Sequence, residues 1–162
     1  MKILWIKCDL LHPTTKGGHI RTLELLKQLH RRHEIHYVGF ENNPDGEGVR
    51  RSVEYCSRIH PVPHVVPPRK SPAFALQLAG SLWSPLPLSV SRYRSSRMEQ
   101  LVSELMTRER FDSVVCDFVV PAVNIRAMPK CVIFQHNVET MIWKRHAETA
   151  PSALHRLYLS AQ

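Results

Sequence analysis

The chain has 162 residues, of which 43% are hydrophobic and 22% are charged, a balance that predicts one globular domain with a sizeable core. No stretch reaches the roughly 20 apolar residues of a membrane-spanning helix, and Lys7 and Asp9 interrupt the N-terminal apolar segment, so we expect a cytoplasmic protein without a signal peptide. The formal charge of +8 favours nucleic acid, an anionic membrane surface or a phosphorylated small molecule as partner, although a basic solvated surface carries the same charge.

The N-terminal part of the chain predicts three strands and two helices. Residues 2–8 form an apolar strand, and after a loop comes a helix with a broad apolar stripe. The stripe consists of Ile20, Leu23, Leu25, Leu26 and Leu29. Residues 35–40 predict the second strand, and residues 49–57 predict a short helix. The third strand, 59–66, contains prolines, which predicts a position at a sheet edge.

A proline-rich segment divides the chain. Seven of the twelve prolines lie between Pro61 and Pro87, which predicts an irregular excursion. An amphipathic helix then begins near Ser96, because apolar residues recur at helical spacing. These residues are Met98, Leu101, Val102 and Leu105.

Two more strands complete the pattern. The first covers residues 113–116 and ends in Asp117, the second covers residues 130–134, and a short helix or turn at 121–126 lies between them. Both are short apolar runs, which predicts that both are buried. Strands that alternate with helices indicate an α/β fold with a Rossmann-like, doubly wound and mostly parallel sheet.

The last residues again have helical spacing, at Leu154, Leu157, Tyr158 and Ala161, but no cap or glycine follows them. This pattern predicts a helix that is cut short. We therefore expect the chain to belong to a longer protein. The four cysteines are too widely spaced for a zinc knuckle or a CxxC pair, which predicts buried, reduced thiols and no metal site.

The first candidate site is the pair Gly17-Gly18 at the start of the first helix. About eight residues of loop separate it from the first strand, which disfavours a dinucleotide-binding fingerprint. A glycine-rich turn at a helix N-terminus can instead hold a phosphate, with help from Lys16, His19 or Arg21. The alternative is a permissive turn without a ligand.

The second candidate site is the tetrad His136-Asn137-Val138-Glu139, directly after the last strand. Ligands of α/β sheets bind at the carboxyl ends of the strands. His136 can donate a hydrogen bond to a sugar or phosphate oxygen, Asn137 and Glu139 add an amide and an acceptor, and Asp117 is expected to reach the same crevice. The alternative is structural, with Asn137 as a helix N-cap, Glu139 in the first turn and Asp117 as a cap or turn residue.

A third feature combines Trp83 with the cluster Arg92, Arg94 and Arg97. This combination suits the face of an anionic membrane, and it predicts peripheral association with the inner membrane surface. The alternative is a loop that is tucked into the core beside a solvated helix start. The arginines are not interleaved with aromatic residues, so we expect no nucleic-acid partner.

Several stretches of the chain resemble the N-terminal half of a GT-B glycosyltransferase, in particular the retaining, group-1 (family 4-like) enzymes. They are the opening Met1-Lys2-Ile3-Leu4-Trp5, the loop at 13–18, the helix at 21–29, the turn Arg31-Arg32-His33-Glu34 and the stretch Phe134-Gln135-His136-Asn137-Val138-Glu139. The resemblance covers nearly the whole chain. It implies a retaining hexosyltransferase that moves a sugar from a nucleotide-sugar donor to a glycan, lipid or other acceptor.

The resemblance also implies that donor and acceptor binding are assigned to two different domains. Such enzymes have two Rossmann-like domains, and the second, which holds most donor contacts and a pair of glutamates, is absent from this chain. Residues 1–162 would then be the acceptor-side domain, inactive alone, with no metal or cofactor. By resemblance Gly17 and Gly18 approach the donor diphosphate, and His136 contacts the transferred sugar as the catalytic residue. The alternative is a non-catalytic Rossmann-like module that binds a phosphorylated ligand or an anionic lipid.

Overall fold

The computed structural model describes residues 1–68, 71–81, 83–126, 131–135, 137–153, 156 and 159. The chain divides into two compact units. The sheet unit comprises Met1–Val65 and Tyr93–Phe134, and the helical unit comprises Val66–Arg92 and Gln135–Gln162. The predicted terminal helix at Leu154, Leu157, Tyr158 and Ala161 lies outside the described residues.

The sheet unit contains a five-stranded parallel sheet in the order β3-β2-β1-β4-β5. Its strands are β1 (Lys2–Asp9), β2 (Glu34–Phe40), β3 (Arg58–Val62), β4 (Ser113–Asp117) and β5 (Cys131–Phe134). The α-helices are α1 (Gly17–His30), α2 (Glu47–Arg50), α3 (Pro72–Ser81), α4 (Leu88–Ser91), α5 (Ser96–Arg108) and α6 (Glu139–Glu148), with 3₁₀ turns at Ser52–Glu54 and Val120–Asn124. The predicted α/β, Rossmann-like fold is confirmed.

Alternate strand residues form an apolar layer on each face of the sheet, because successive side chains of a strand point to opposite faces. One layer joins the strands to α1 through Ile3, Trp5, Ile35, Tyr37, Val115, Leu23 and Leu26. The other layer joins them to α5 through Leu4, Ile6, Val38, Cys116, Met98, Val102 and Leu105. Helices therefore cover both faces, as in a doubly wound sheet.

The apolar stripe predicted for α1 is only partly correct. Leu23 and Leu26 are buried, but Ile20 is 52% exposed. His19 and Thr22 are buried in its place, because their side chains bind the carboxylates of Asp9 and Asp117 at the carboxyl ends of β1 and β4. The hydrophobic pattern alone therefore predicted a buried face of α1 that wrongly left out His19 and Thr22.

The two edge strands behave differently from one another. β3 carries Pro61 and lies at one edge, which confirms the predicted position. β5 lies at the other edge, and Val132 and Ile133 are 55% and 49% exposed. The prediction of a buried β5 was wrong, because an edge strand has a neighbour on one side only.

The helical unit also corrects two expectations. The proline-rich excursion contains the regular helix α3, which starts at Pro72, a position where the missing N–H of proline costs no hydrogen bond. α6 starts at Glu139 with Val138 as the N-cap residue and no side-chain cap. Asn137 therefore does not cap it.

Candidate functional site

The candidate site lies at the carboxyl ends of β1 and β4, in the middle of the sheet. β1 pairs with β2 on one side and with β4 on the other, so the chain reverses its direction across the sheet at this point. Ligands of open α/β sheets bind at such a switch point. The switch-point site, as we use the term, consists of Lys7, Asp9, Gly17, Gly18, His19, Thr22, Asp117 and Phe118.

Asp117 holds the base of this site together. Its side chain is fully buried, with Oδ1 2.9 Å from Lys7 Nζ. Trp5 Nε1 and the Thr22 hydroxyl donate hydrogen bonds to Oδ2 over 3.1 and 2.8 Å. One carboxylate thus joins β1, β4 and α1. A buried carboxylate is tolerated only when it is paired and hydrogen-bonded in this way, so Asp117 positions the other elements of the site.

Phe118, the residue after β4, has an unusual backbone. Its φ of 80° lies in the left-handed region, which bulky residues rarely adopt. Its N–H donates to Phe134 O over 2.9 Å, and the Cys116 thiol lies 3.1 Å from the Phe118 carbonyl oxygen. The Lys7 ammonium lies 5.4 Å from the centre of the ring. Strained residues of this kind concentrate at ligand sites, where the surrounding contacts hold them in place.

Asp9 ends β1 and binds two side chains, Lys16 of the next loop and His19 of α1. Its Oδ2 lies 3.0 Å from Lys16 Nζ and 3.3 Å from His19 Nε2. The hydrogen bond with His19, followed by that with Lys16 and their positive charges, lowers the pKa of Asp9 to about 2, although burial opposes the shift. Asp9 is therefore ionised at neutral pH. Lys16 and His19, which the sequence predicted to assist phosphate binding, thus already bind the carboxylate of Asp9.

The N-terminus of α1 is free of a side-chain cap. Lys16 is the N-cap residue in an extended conformation, no side chain caps the helix, and the first turn contains no acidic residue. The Lys16 carbonyl oxygen accepts hydrogen bonds from the backbone N–H groups of His19 and Ile20. Gly17 and Gly18 thus present the positive end of the helix dipole.

Gly17 and Gly18 are not required by the turn itself. Among the described residues no glycine has a positive φ, and a Cβ atom built at Gly17 or Gly18 meets no atom within 4 Å. The alternative that these glycines serve a permissive turn therefore lacks a structural basis. Space beside an uncapped helix N-terminus is what an anion needs.

The remaining predicted site residues lie in different places. Arg21 is exposed on α1, and its guanidinium carbon lies 5.5 Å from the centre of the Phe134 ring of β5. Asn137 is exposed in the helical unit, and Glu139 is the first residue of α6. His136 and the side chain of Glu139 lie outside the described structure. The structure thus brings Gly17, Gly18, His19 and Asp117 together in the sheet unit.

Sequence reasoning missed Lys7, Asp9, Thr22 and Phe118 of the switch-point site, and it also missed Trp5, which donates a hydrogen bond to Asp117. A signal for three of them was present. Trp5, Lys7 and Asp9 alternate along one strand, so a cation and a carboxylate at the carboxyl end of β1 share the face of Trp5. Thr22 and Phe118 had no comparable signal, because their roles depend on contacts across the sheet.

No protein-family model matches the chain, and no curated protein and no solved structure shows a significant similarity to it. Among the described residues no group of three or more His, Cys, Asp or Glu side chains is placed to hold a metal ion. A function for the chain therefore has to be proposed from the geometry of the switch-point site and from the sequence.

Proposed function

We propose that the chain is the acceptor-side domain of a retaining glycosyltransferase and that its switch-point site binds the diphosphate of a nucleotide-sugar donor. The observation that carries this proposal is the uncapped start of α1, where Gly17 and Gly18 adjoin open space without serving the turn. Glycine at such a position lets a phosphate approach the backbone N–H groups closely.

The charges of the site favour anion binding by backbone N–H groups over anion binding by side chains. Lys16 and His19 contact Asp9, and Lys7 contacts Asp117, so each of these side chains already has a carboxylate partner in the protein. The N–H groups at the start of α1 and the helix dipole then make the main contribution to anion binding. During sugar transfer the same groups would stabilise the charge that develops on the leaving diphosphate.

The resemblance assigns the transferred sugar to His136. Replacing His136 by alanine in the full-length enzyme should lower the rate of sugar transfer by roughly ten- to a hundredfold, since one positioned polar contact contributes about 1.4 to 3 kcal/mol to the transition state. The assay follows radiolabelled sugar from a panel of nucleotide-sugars into lipid and glycan acceptors. If the variant transfers sugar at the wild-type rate, His136 is not part of the active site.

The diphosphate site is tested separately on this chain. Calorimetry with pyrophosphate and with nucleoside diphosphates should detect binding to the wild type and at least tenfold weaker binding to Gly18→Val, because the added side chain would occupy the space beside the helix N-terminus. Gly80→Val is the matched control, since Gly80 lies in α3 and its Cβ also meets nothing within 4 Å.

The possible results separate the hypotheses. Equal binding by Gly18→Val and the wild type would overturn the phosphate site. Diphosphate binding together with no transfer by the full-length protein from any donor of the panel would instead favour a non-catalytic module that binds a phosphorylated ligand.

A further inference from the structure

The helix α3 is apolar on all sides and yet exposed. Its sequence, Pro-Ala-Phe-Ala-Leu-Gln-Leu-Ala-Gly-Ser, contains no charged residue, and none of its residues is buried. Leu76, in the middle of the helix, is 77% exposed. Helices that are apolar all round are normally covered by protein or lipid, so this one requires an apolar environment outside the described structure.

Trp83 extends the apolar surface beyond the C-terminal end of α3. It follows the helix closely in sequence and is 84% exposed, the highest value among the large hydrophobic residues described. Tryptophan has an apolar body and one polar N–H group, and it concentrates where hydrocarbon meets water. A position at the end of an apolar helix suits that preference.

Positive charge accompanies this surface. The segment Val66–Arg92 of the helical unit, which contains α3 and Trp83, has no acidic residue in its sequence, whereas it contains Arg69, Lys70 and Arg92. Within the helical unit the guanidinium carbon of Arg92 lies 5.7 Å from the centre of the Phe74 ring of α3, and Arg92 Nη2 donates to Pro67 O over 2.9 Å. A cation is therefore held directly against the apolar helix.

We propose that α3 and Trp83 form a membrane-docking surface that inserts into the headgroup region of an anionic bilayer. The ten residues of α3 span about 15 Å, roughly half of the hydrocarbon thickness of a bilayer, so this helix cannot cross it. No described helix is long and apolar enough to cross a membrane. The apolar residues bury in the interface, and the cations of this acid-free segment bind anionic headgroups.

The surface does not depend on the proposed glycosyl transfer. It is assayed without a sugar donor, so a failure here leaves the diphosphate site untouched, and the converse also holds. Membrane binding would, however, narrow the acceptor class, because an enzyme that docks on lipid is suited to a lipid-linked acceptor.

The test is sedimentation of the full chain with vesicles of phosphatidylcholine alone or with about 30% phosphatidylglycerol, which supplies the negative surface potential. We expect binding to the anionic vesicles only, with at least a tenfold loss when the salt concentration rises from about 0.05 to 0.5 M. Fluorescence quenching by brominated lipid should decrease in Trp83→Phe, since Trp83 would be the indole in contact with lipid.

Leu76→Glu should weaken sedimentation at least tenfold, because a carboxylate would enter the interface. Val53→Glu is the matched control, since Val53 is an exposed apolar residue of the sheet unit and the charge change is the same. Circular dichroism checks that both variants are folded. Absence of wild-type binding, equal binding to neutral vesicles, or equal binding by Leu76→Glu and the wild type would each overturn the proposal.

A protein occupant gives a different result. If a second copy covers α3, gel filtration should show a concentration-dependent dimer that Leu76→Glu abolishes, with no sedimentation on vesicles. That outcome would show that α3 is an interface between two copies of the chain and not a membrane-docking surface.

Discussion

Charged side chains lie at both ends of the strands of the central sheet, but the surroundings of these charges differ. At the amino ends of the strands, Lys2 contacts Glu34 and Glu109, and the buried His36 lies 2.9 Å from Glu34 Oε1 through its Nε2. His60 Nε2 lies 3.4 Å from His36 Nδ1. These five residues form the amino-end cluster, in which cations, carboxylates and imidazoles satisfy one another.

At the carboxyl ends the charges are also paired, but the surroundings differ. Asp117 and Lys7 are buried, Asp117 is followed by the strained Phe118, and Asp117 accepts a hydrogen bond from Thr22 of α1. The N-terminus of α1 has no side-chain cap and begins with two glycines that the turn does not need. The comparison teaches that charge pairing alone does not indicate a site. The helix start without a side-chain cap and the free space at its glycines distinguish the carboxyl end.

The largest expected effect comes from the buried pair. Asp117→Asn should lower the free energy of unfolding by about 3 to 5 kcal/mol, because it leaves the ammonium of Lys7 buried without its counter-charge. Urea denaturation followed by circular dichroism measures the change. Lys7→Met combined with Asp117→Asn should recover most of the loss, because no unpaired charge is then buried and the side-chain oxygen at position 117 can still accept from Trp5 and Thr22.

Lys2→Met is the comparison at the other end. Lys2 is more exposed than Lys7, and solvent screens its pairs with Glu34 and Glu109, so the loss should be far smaller than in Asp117→Asn. Equal losses at the two ends would show that the carboxyl-end pair is not effectively buried.

Two glycines near the carboxyl end should respond to alanine with opposite signs. Gly17→Ala should raise the free energy of unfolding by about 0.4 to 1 kcal/mol, because the added methyl group meets open space and restricts the unfolded chain. Gly39→Ala should lower it by about 1 to 3 kcal/mol, because its Cβ would lie 2.8 Å from Leu10 Cδ2 and 3.2 Å from Asp9 O. Thermal denaturation measures both. A destabilised Gly17→Ala would indicate that the turn needs this glycine.

Asp9 should restrain the proposed anion site. Asp9→Asn releases Lys16 and His19 from their carboxylate partner, so pyrophosphate should bind roughly two- to fivefold more tightly, on the scale of an exposed ion pair of up to about 1 kcal/mol. Calorimetry at neutral pH is suitable, because a pKa of about 2 keeps Asp9 ionised there in the wild type. An unchanged affinity would show that the anion does not bind near Lys16 and His19.

The smallest effect concerns pH and the amino-end cluster. Burial lowers the pKa of His60, the charges of His36 and Arg58 lower it further, and Glu109 opposes them. The unfolded chain then binds this proton more tightly than the folded chain, so stability is fully present above about pH 6.5 and is lost as the pH falls through the folded-state pKa.

His60→Gln should therefore flatten the decrease in stability between about pH 7 and pH 5. His146→Gln, at an exposed position of the helical unit, is the control and should leave the slope unchanged. Urea midpoints across this pH range provide the measurement. An identical slope in His60→Gln and the wild type would assign the acid sensitivity to other groups, such as His12, whose pKa burial also lowers.

Local patterns in the sequence determined much of the fold. The apolar runs of β1 and β2, the helical spacing of Met98, Val102 and Leu105, and the proline of β3 each depend on short-range geometry, which a sequence displays directly. The proline-rich segment was misjudged as irregular, because a proline at the first position of a helix does not prevent α3 from forming.

Only the tertiary structure decided which charges neutralise each other and where space remains. Asp117 meets Thr22 and Lys7 because β4 pairs with β1 in the sheet, and Val132 and Ile133 are exposed because β5 is an edge strand among the described strands. These contacts join residues far apart in the chain, so their energies depend on strand order and register, which no local window of the sequence contains. Gly17 and Gly18 illustrate the division, since the sequence placed them at a helix start and the packing left them beside open space.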